Sequence, residues 1–189
     1  MDSTSTTSIQ PAINTKSSDL PLQSGQHPPS VLQPFQITVA SLGTKDLSDS
    51  ISVAALSSIA SYTTLYRHAK LTSLTATIHP NALSVSNPTT VSLVWVPYNS
   101  SATSAQILDV YGAKRFCIGG AINTLSSIHV PCNLTNVNPI IKDSVTYTDT
   151  PKLLLSSTTI ASPPTSPTCT VTISGTITLH SPLLQASSS

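Results

Sequence analysis

Residues 170–180 read TVTISGTITLH, an alternation of period two. Successive side chains of an extended strand point to opposite faces. Val171, Ile173, Gly175, Ile177 and Leu179 therefore share one side, and Thr172, Ser174, Thr176, Thr178 and His180 the other. The first side requires a core. The second is uncharged, rich in hydroxyls and ends in an imidazole. The pattern recurs upstream. In PFQITVASLG (34–43), Phe35, Ile37 and Val39 alternate with Gln36, Thr38 and Ala40. In LTSLTATIHP (71–80), Leu74, Ala76 and Ile78 alternate with Thr75, Thr77 and His79, and Pro80 stops the run. TVSLVWVP (90–97) is apolar almost throughout and reads as a strand buried on both faces, with Trp95 inside. With SISVAAL (50–56), RFCIGG (115–120), SSIHVPC (126–132) and VTYTDTPKLLLSS (145–157), the chain offers about eight strands separated by Pro, Gly, Asn and Ser.

Helix signals are few. SATSAQILDVYG (101–112) has a Ser or Thr cap, apolar Ala105, Ile107, Leu108 and Val110, and Gly112 as a stop. SSIASYTTLYRH (57–68) has room for a helical turn or two. This balance predicts an all-β, eight-stranded antiparallel jelly-roll sandwich with one or two short helices in its loops. Residues 1–30 are polar, interrupted by Pro11, Pro21, Pro28 and Pro29, and have no sustained period. They read as a flexible N-terminal arm, and residues 31–189 as the folded domain.

Composition narrows the function. Charged residues make up 8% of the chain, against about 25% in an average soluble protein. Glu is absent, and Ser and Thr supply about a third of the residues. So few charges tolerate close packing of copies, and a net charge of +1 excludes a grip on nucleic acid made mainly of basic residues. Cys117, Cys132 and Cys169 form no CxxC pair, and their odd number suits a reducing compartment. No membrane association is expected, because no apolar stretch approaches the roughly 18 residues of a span.

Enzymatic chemistry finds no footing. There is no GxSxG nucleophile turn, and the acids Asp46 and Asp49 sit in a turn-like stretch where Asp bonds nearby backbone. His129 and Cys132 lack further partners for a metal site, and Cys117 and Cys132 read as small packed hydrophobes. Lys114 and Arg115 read as a solvated turn. A non-enzymatic protein without a metal or cofactor is expected.

Several segments together resemble one family. PFQ (34–36), LYRHA (65–69), VWVPYNSSAT (94–103), QILDVYG (106–112), FCIGGAINTLS (116–126), NPIIKDSVTYTDTPKLL (138–154) and TISGTITLHSPLL (172–184) are similar, in order and spacing, to the coat proteins of tymoviruses, plant RNA viruses of the turnip yellow mosaic group. The resemblance implies two facing four-stranded sheets and self-assembly of roughly 180 chains, as pentamers and hexamers, into a T=3 icosahedral capsid around a positive-strand RNA genome. It implies the virion as location, with assembly in the host-cell cytoplasm.

It also implies that the hydroxyl face ending at His180 looks into the shell, with His68 nearby. These two residues are the expected RNA contacts, ahead of His27, His79 and His129. Histidine gains charge on mild acidification, so such a contact should strengthen as pH falls. Residues 1–30 hold one Lys and two Asp, so polyamines or small cations would supply most of the genome's counter-charge. The alternative is a cellular β-sandwich binding or adhesion module. That reading calls for a secretory leader and a face of exposed aromatics, against an aromatic content of 4%.

Overall fold

The computed structural model describes residues 30–120 and 126–183. The expected N-terminal arm therefore lies outside the described residues, apart from Ser30. The alternating segments form ten strands: β1 (Ser30–Leu42), β2 (Leu47–Ser52), β3 (Tyr66–Pro80), β4 (Thr89–Pro97), β5 (Lys114–Ile118), β6 (Ile128–Pro131), β7 (Ile140–Asp143), β8 (Val145–Thr146), β9 (Pro151–Thr158) and β10 (Cys169–Pro182). One sheet runs β1-β10-β3-β7-β8, with β6 also on β3; the other runs β2-β9-β4-β5. All pairings are antiparallel.

Ten strands replace the expected eight for a simple reason. β6 pairs with β3 at 75–78 and β7 pairs with it at 68–70, so the two share one lane; β8 is a two-residue return of β7. Four lanes face four strands, the jelly-roll arrangement of two packed sheets.

The core lies between the sheets. Leu71, Ile78, Val171, Ile173 and Leu179 from one meet Val91, Leu93, Leu153 and Leu155 from the other, all essentially inaccessible. Burial of each such side chain contributes about 1.5–3 kcal/mol. Gly175 sits opposite Phe35 in the β1–β10 register. A Cβ on Gly175 would lie 2.3 Å from the Ser73 carbonyl oxygen and 3.0 Å from the Phe35 ring, so only glycine fits between them.

Two bulges change the phase of the alternation. The β1–β10 register shifts between Thr38 and Ala40, which leaves Val39 as the extra residue. Ala40, expected on the polar side, therefore stands opposite core-facing Val171, and Leu42 is buried. The second bulge lies in β3. Ser73 pairs with Thr176 and Leu71 with Ile177, so Thr72 is the extra residue, and its hydroxyl donates to the Thr176 carbonyl (3.1 Å).

Both segments expected to be helical hold a short helix, but the α-helix falls in the weaker one. The stronger sequence signal, within 101–112, forms a 3₁₀ helix at Ser104–Asp109 with a kink at Gln106. The Gln106 Oε1 atom accepts from the Thr103 backbone N–H and hydroxyl, which fixes the first turn. The α-helix is α1 (Ser57–Leu65), which buries Ile59 and has the Lys142 ammonium on the Thr63 carbonyl near its C-terminus.

Trp95 is half-buried rather than enclosed. It packs against the rim of the core while its indole N–H donates to the Val130 carbonyl (3.0 Å) and ties β4 to β6. Lys114 and Arg115 open β5 rather than forming a turn, with Arg115 Nε donating to the Ser92 hydroxyl (2.9 Å). Cys117 is exposed, in contrast to its expected packing, whereas Cys132 is partly buried and Cys169 buried. Burial pushes the Cys132 thiol up to about 12. The Asp46 carboxylate bonds not to its own turn but to the Thr159 backbone N–H (2.8 Å) and hydroxyl (2.9 Å), and these bonds hold its pKa below the usual carboxylate value.

Candidate nucleic-acid interface

The outer face of the larger sheet carries the polar half of each alternating strand. Thr172, Ser174, Thr176, Thr178 and His180 of β10 lie opposite Thr77, Thr75, Ser73, Lys70 and His68 of β3. β1 adds Pro34 and Gln36 beside Thr176 and Ser174. These small side chains leave a shallow groove across the middle of the sheet, lined by Pro34, Gln36, Ser73, Thr75, Ser174 and Thr176.

At one end of the face, His68 and His180 stack. Their ring centroids are 4.2 Å apart and the planes are inclined by 11°. The Thr72 bulge creates this contact. Leu74, Ala76 and Ile78 face the core, and an unbroken period of two would send His68 to the same side. The extra residue moves Leu71 and Ala69 into the core and turns Lys70 and His68 outward, onto the face that holds His180.

The pair has a third member. Asp143 is opposite His68 in the β3–β7 register, and its Oδ1 lies 2.7 Å from His68 Nδ1. A bend follows Asp143 at Ser144, and both Ser144 and Ser181, the latter still within β10, adopt left-handed backbone (φ 64° and 56°). Arg67 anchors Ser144 through its Nε and its carbonyl, which holds the Asp143 carboxylate in place. His180 titrates below the usual imidazole value. Partial burial is the main cause and the neighbouring His68 charge adds to it, while Asp143 acts in the opposite direction.

Sequence reading thus named both members of the stacked pair and missed Asp143 and the bulge. The signal for the bulge was present: Leu71 and Leu74 are three residues apart in a strand otherwise of period two. His79 and His129 stand at the other end of the same face, where His129 Nδ1 bonds the Thr77 hydroxyl (3.0 Å). His27 lies outside the described residues. Among the described residues no group of His, Cys, Asp and Glu is placed to hold a metal ion, and no helix is long and apolar enough to cross a membrane.

A sandwich of two four-lane antiparallel sheets with one uncovered, hydroxyl-rich face is the architecture of a viral jelly-roll capsid protein. A solved structure of tobacco necrosis virus shares this fold at 13% identity (TM-score 0.59; 82% of this chain and 98% of that one). The tymovirus coat protein family model matches residues 16–189, and the chain belongs to that family. It is 71% identical over 174 residues to the capsid protein of Kennedya yellow mosaic virus (strain Jervis bay), covering 92% of this chain and 93% of that one. The solved structure of desmodium yellow mottle tymovirus superposes with a TM-score of 0.83 at 60% identity, covering 93% of this chain and all of that one. The chain is thus a viral structural protein that builds the capsid of a virion.

Proposed function

We propose that roughly 180 copies of the chain form a T=3 icosahedral shell. In this reading the outer face of the larger sheet turns inward, toward a positive-strand RNA genome. The stacked His68–His180 pair at the end of that face carries the reading. Two imidazoles lie 4.2 Å apart, histidine being the side chain whose charge mild acid can raise, and the surrounding hydroxyls can bond phosphate or base edges without a permanent charge.

A net +1 per chain is far too little for a genome with phosphates on the order of thousands. Polyamines or small cations therefore supply most of the counter-charge, and the protein adds an adjustable contact. Asp143 sets its balance. When His68 carries a proton the carboxylate neutralises it, so a phosphate must compete with Asp143 for that ring. His180 has no such partner, and a nearby phosphate raises its pKa against the burial and the His68 charge that lower it. Assembly takes place in the host-cell cytoplasm, where copies of the chain and the genome meet.

The test is the double variant His68→Ala with His180→Ala, allowed to package RNA. RNA release is followed from pH 5 to pH 8 at fixed salt and polyamine. Wild-type particles hold RNA more firmly at the acid end, and the variant loses most of that difference. A variant with the full wild-type pH dependence would remove these residues from RNA contact.

A further inference from the structure

All four histidines of the described residues stand on one face, two at each end. From His180 to Thr172 the separation is about 26 Å along β10, at about 3.3 Å per residue. We infer that His79 and His129 form a second RNA-phosphate site at the far end, so that one stretch of genome is held at both ends of the hydroxyl face. This rests on the reading that the face is turned to RNA.

The local chemistry fits an anion taken up in mild acid. His79 Nδ1 lies 3.1 Å from the Ser127 hydroxyl and its Nε2 lies 2.9 Å from the Thr172 hydroxyl. His129 Nδ1 shares a hydrogen bond with Thr77. A hydroxyl accepts as readily as it donates, so either ring can take a proton while keeping each of these bonds.

The surrounding strand positions are Thr75 and Thr77 of β3, Thr170 and Thr172 of β10, and Pro131 of β6, with Ser127 just before β6. None is charged. Asp143 is the one carboxylate on the strands of this sheet, and it belongs to the opposite end. A proton at His68 meets Asp143, whereas the strands around His129 present no carboxylate among the described residues. A proton on either ring here would stand as an uncompensated positive charge among hydroxyls, the kind of charge that the phosphates of the proposed genome attract. His129 is exposed, so its ring is within reach.

The experiment uses RNA-filled particles carrying His129→Ala or His129→Lys, at pH 5.5 and pH 8 with polyamine fixed. The expected result for His129→Ala is RNA release about two- to fivefold faster at pH 5.5, the effect of one exposed charge contact, with no change at pH 8. His129→Lys should slow release at pH 8 and flatten the pH dependence.

If His129→Ala behaves as wild type while the His68/His180 double variant loses its pH dependence, the second site is overturned and the first stands. If neither variant changes release, the inward reading of the face fails with it. Should His129→Ala yield no particles, ultraviolet cross-linking of wild-type filled particles decides the matter. RNA adducts within residues 126–132 of the tryptic fragment 116–142 support the site, and adducts confined to other peptides overturn it.

Discussion

The two sheets of the sandwich share a core but treat their outer faces in opposite ways. On the smaller sheet, Val94, Val96 and Leu154 face away from the main core and are buried again beneath Ile107 of the 3₁₀ helix, with Ala102, Val110 and Ala113 around them. On the larger sheet, the equivalent outer positions are Thr, Ser and His, and most remain accessible. The difference is written in the strands. β4 and β9 carry runs such as LVWV and LLL, whereas β10 alternates strictly. A strand buried on both sides needs apolar residues at every step, and one that faces solvent or a polar ligand needs them at every second step. Assembly by so weakly charged a chain thus leaves one face free for a polar role and spends the other on stability.

The largest effect should come from breaking the covered face. Leu154→Ala removes a buried side chain from between the sheet and the 3₁₀ helix and should cost about 2–5 kcal/mol in denaturant unfolding. Ser174→Ala, on the open face of the larger sheet, should stay within about 0.5 kcal/mol. Similar losses for the two would show that the faces are not distinct. Gly175→Ala comes next. Its new methyl meets the Ser73 carbonyl and the Phe35 ring, and overpacking of this kind costs about 1–3 kcal/mol. Trp95→Phe should be milder. It keeps most of the apolar contact at the sandwich rim but leaves the Val130 carbonyl without its indole partner, a loss of about 1–3 kcal/mol at most and less where water reaches the rim.

These same elements show what the sequence carries openly. Period-two runs located the main strands, and the largely apolar run 90–97 announced a strand covered on both sides. Neither statement needs tertiary information, because both follow from strand geometry. The one phase error, at Ala40, came from a single extra residue, Val39. The second bulge, at Thr72, is what brings His68 out to His180, a pairing that the alternation by itself does not show. A bulge is set by pairing with a partner strand, so the residue type at the bulge says little about it. Asp143 escaped notice for a related reason. It reaches His68 only through the β3–β7 register, which joins segments far apart in the chain. The α and 3₁₀ assignments of 57–65 and 104–109 follow neither from propensity nor from burial, since each segment buries one isoleucine, Ile59 and Ile107.

The smallest effect separates the two faces by pH. His180 titrates below the usual imidazole value of about 6.5 in the folded protein, so the unfolded chain binds more protons near and below that pH. Its contribution to stability is complete above about pH 6.5 and is lost as pH falls through the lowered folded value. RNA-free protein should therefore unfold at lower denaturant concentration at pH 5 than at pH 7.5, and His180→Asn should shrink that difference. Asp46 acts in a separate window. Its folded pKa is depressed by Thr159, so its contribution holds above about 3.8 and disappears below that, and Asp46→Asn should leave the shift between pH 7.5 and pH 5 unchanged. Packaged RNA should reverse the sign at His180, because phosphate favours the protonated ring that the bare protein disfavours. Acid would then weaken empty particles and tighten the hold on RNA in filled ones, through the same side chain. If empty and filled particles respond alike to acid, and His180→Asn alters neither, the open face takes no part in pH sensing and its hydroxyls and imidazoles serve only as a polar surface.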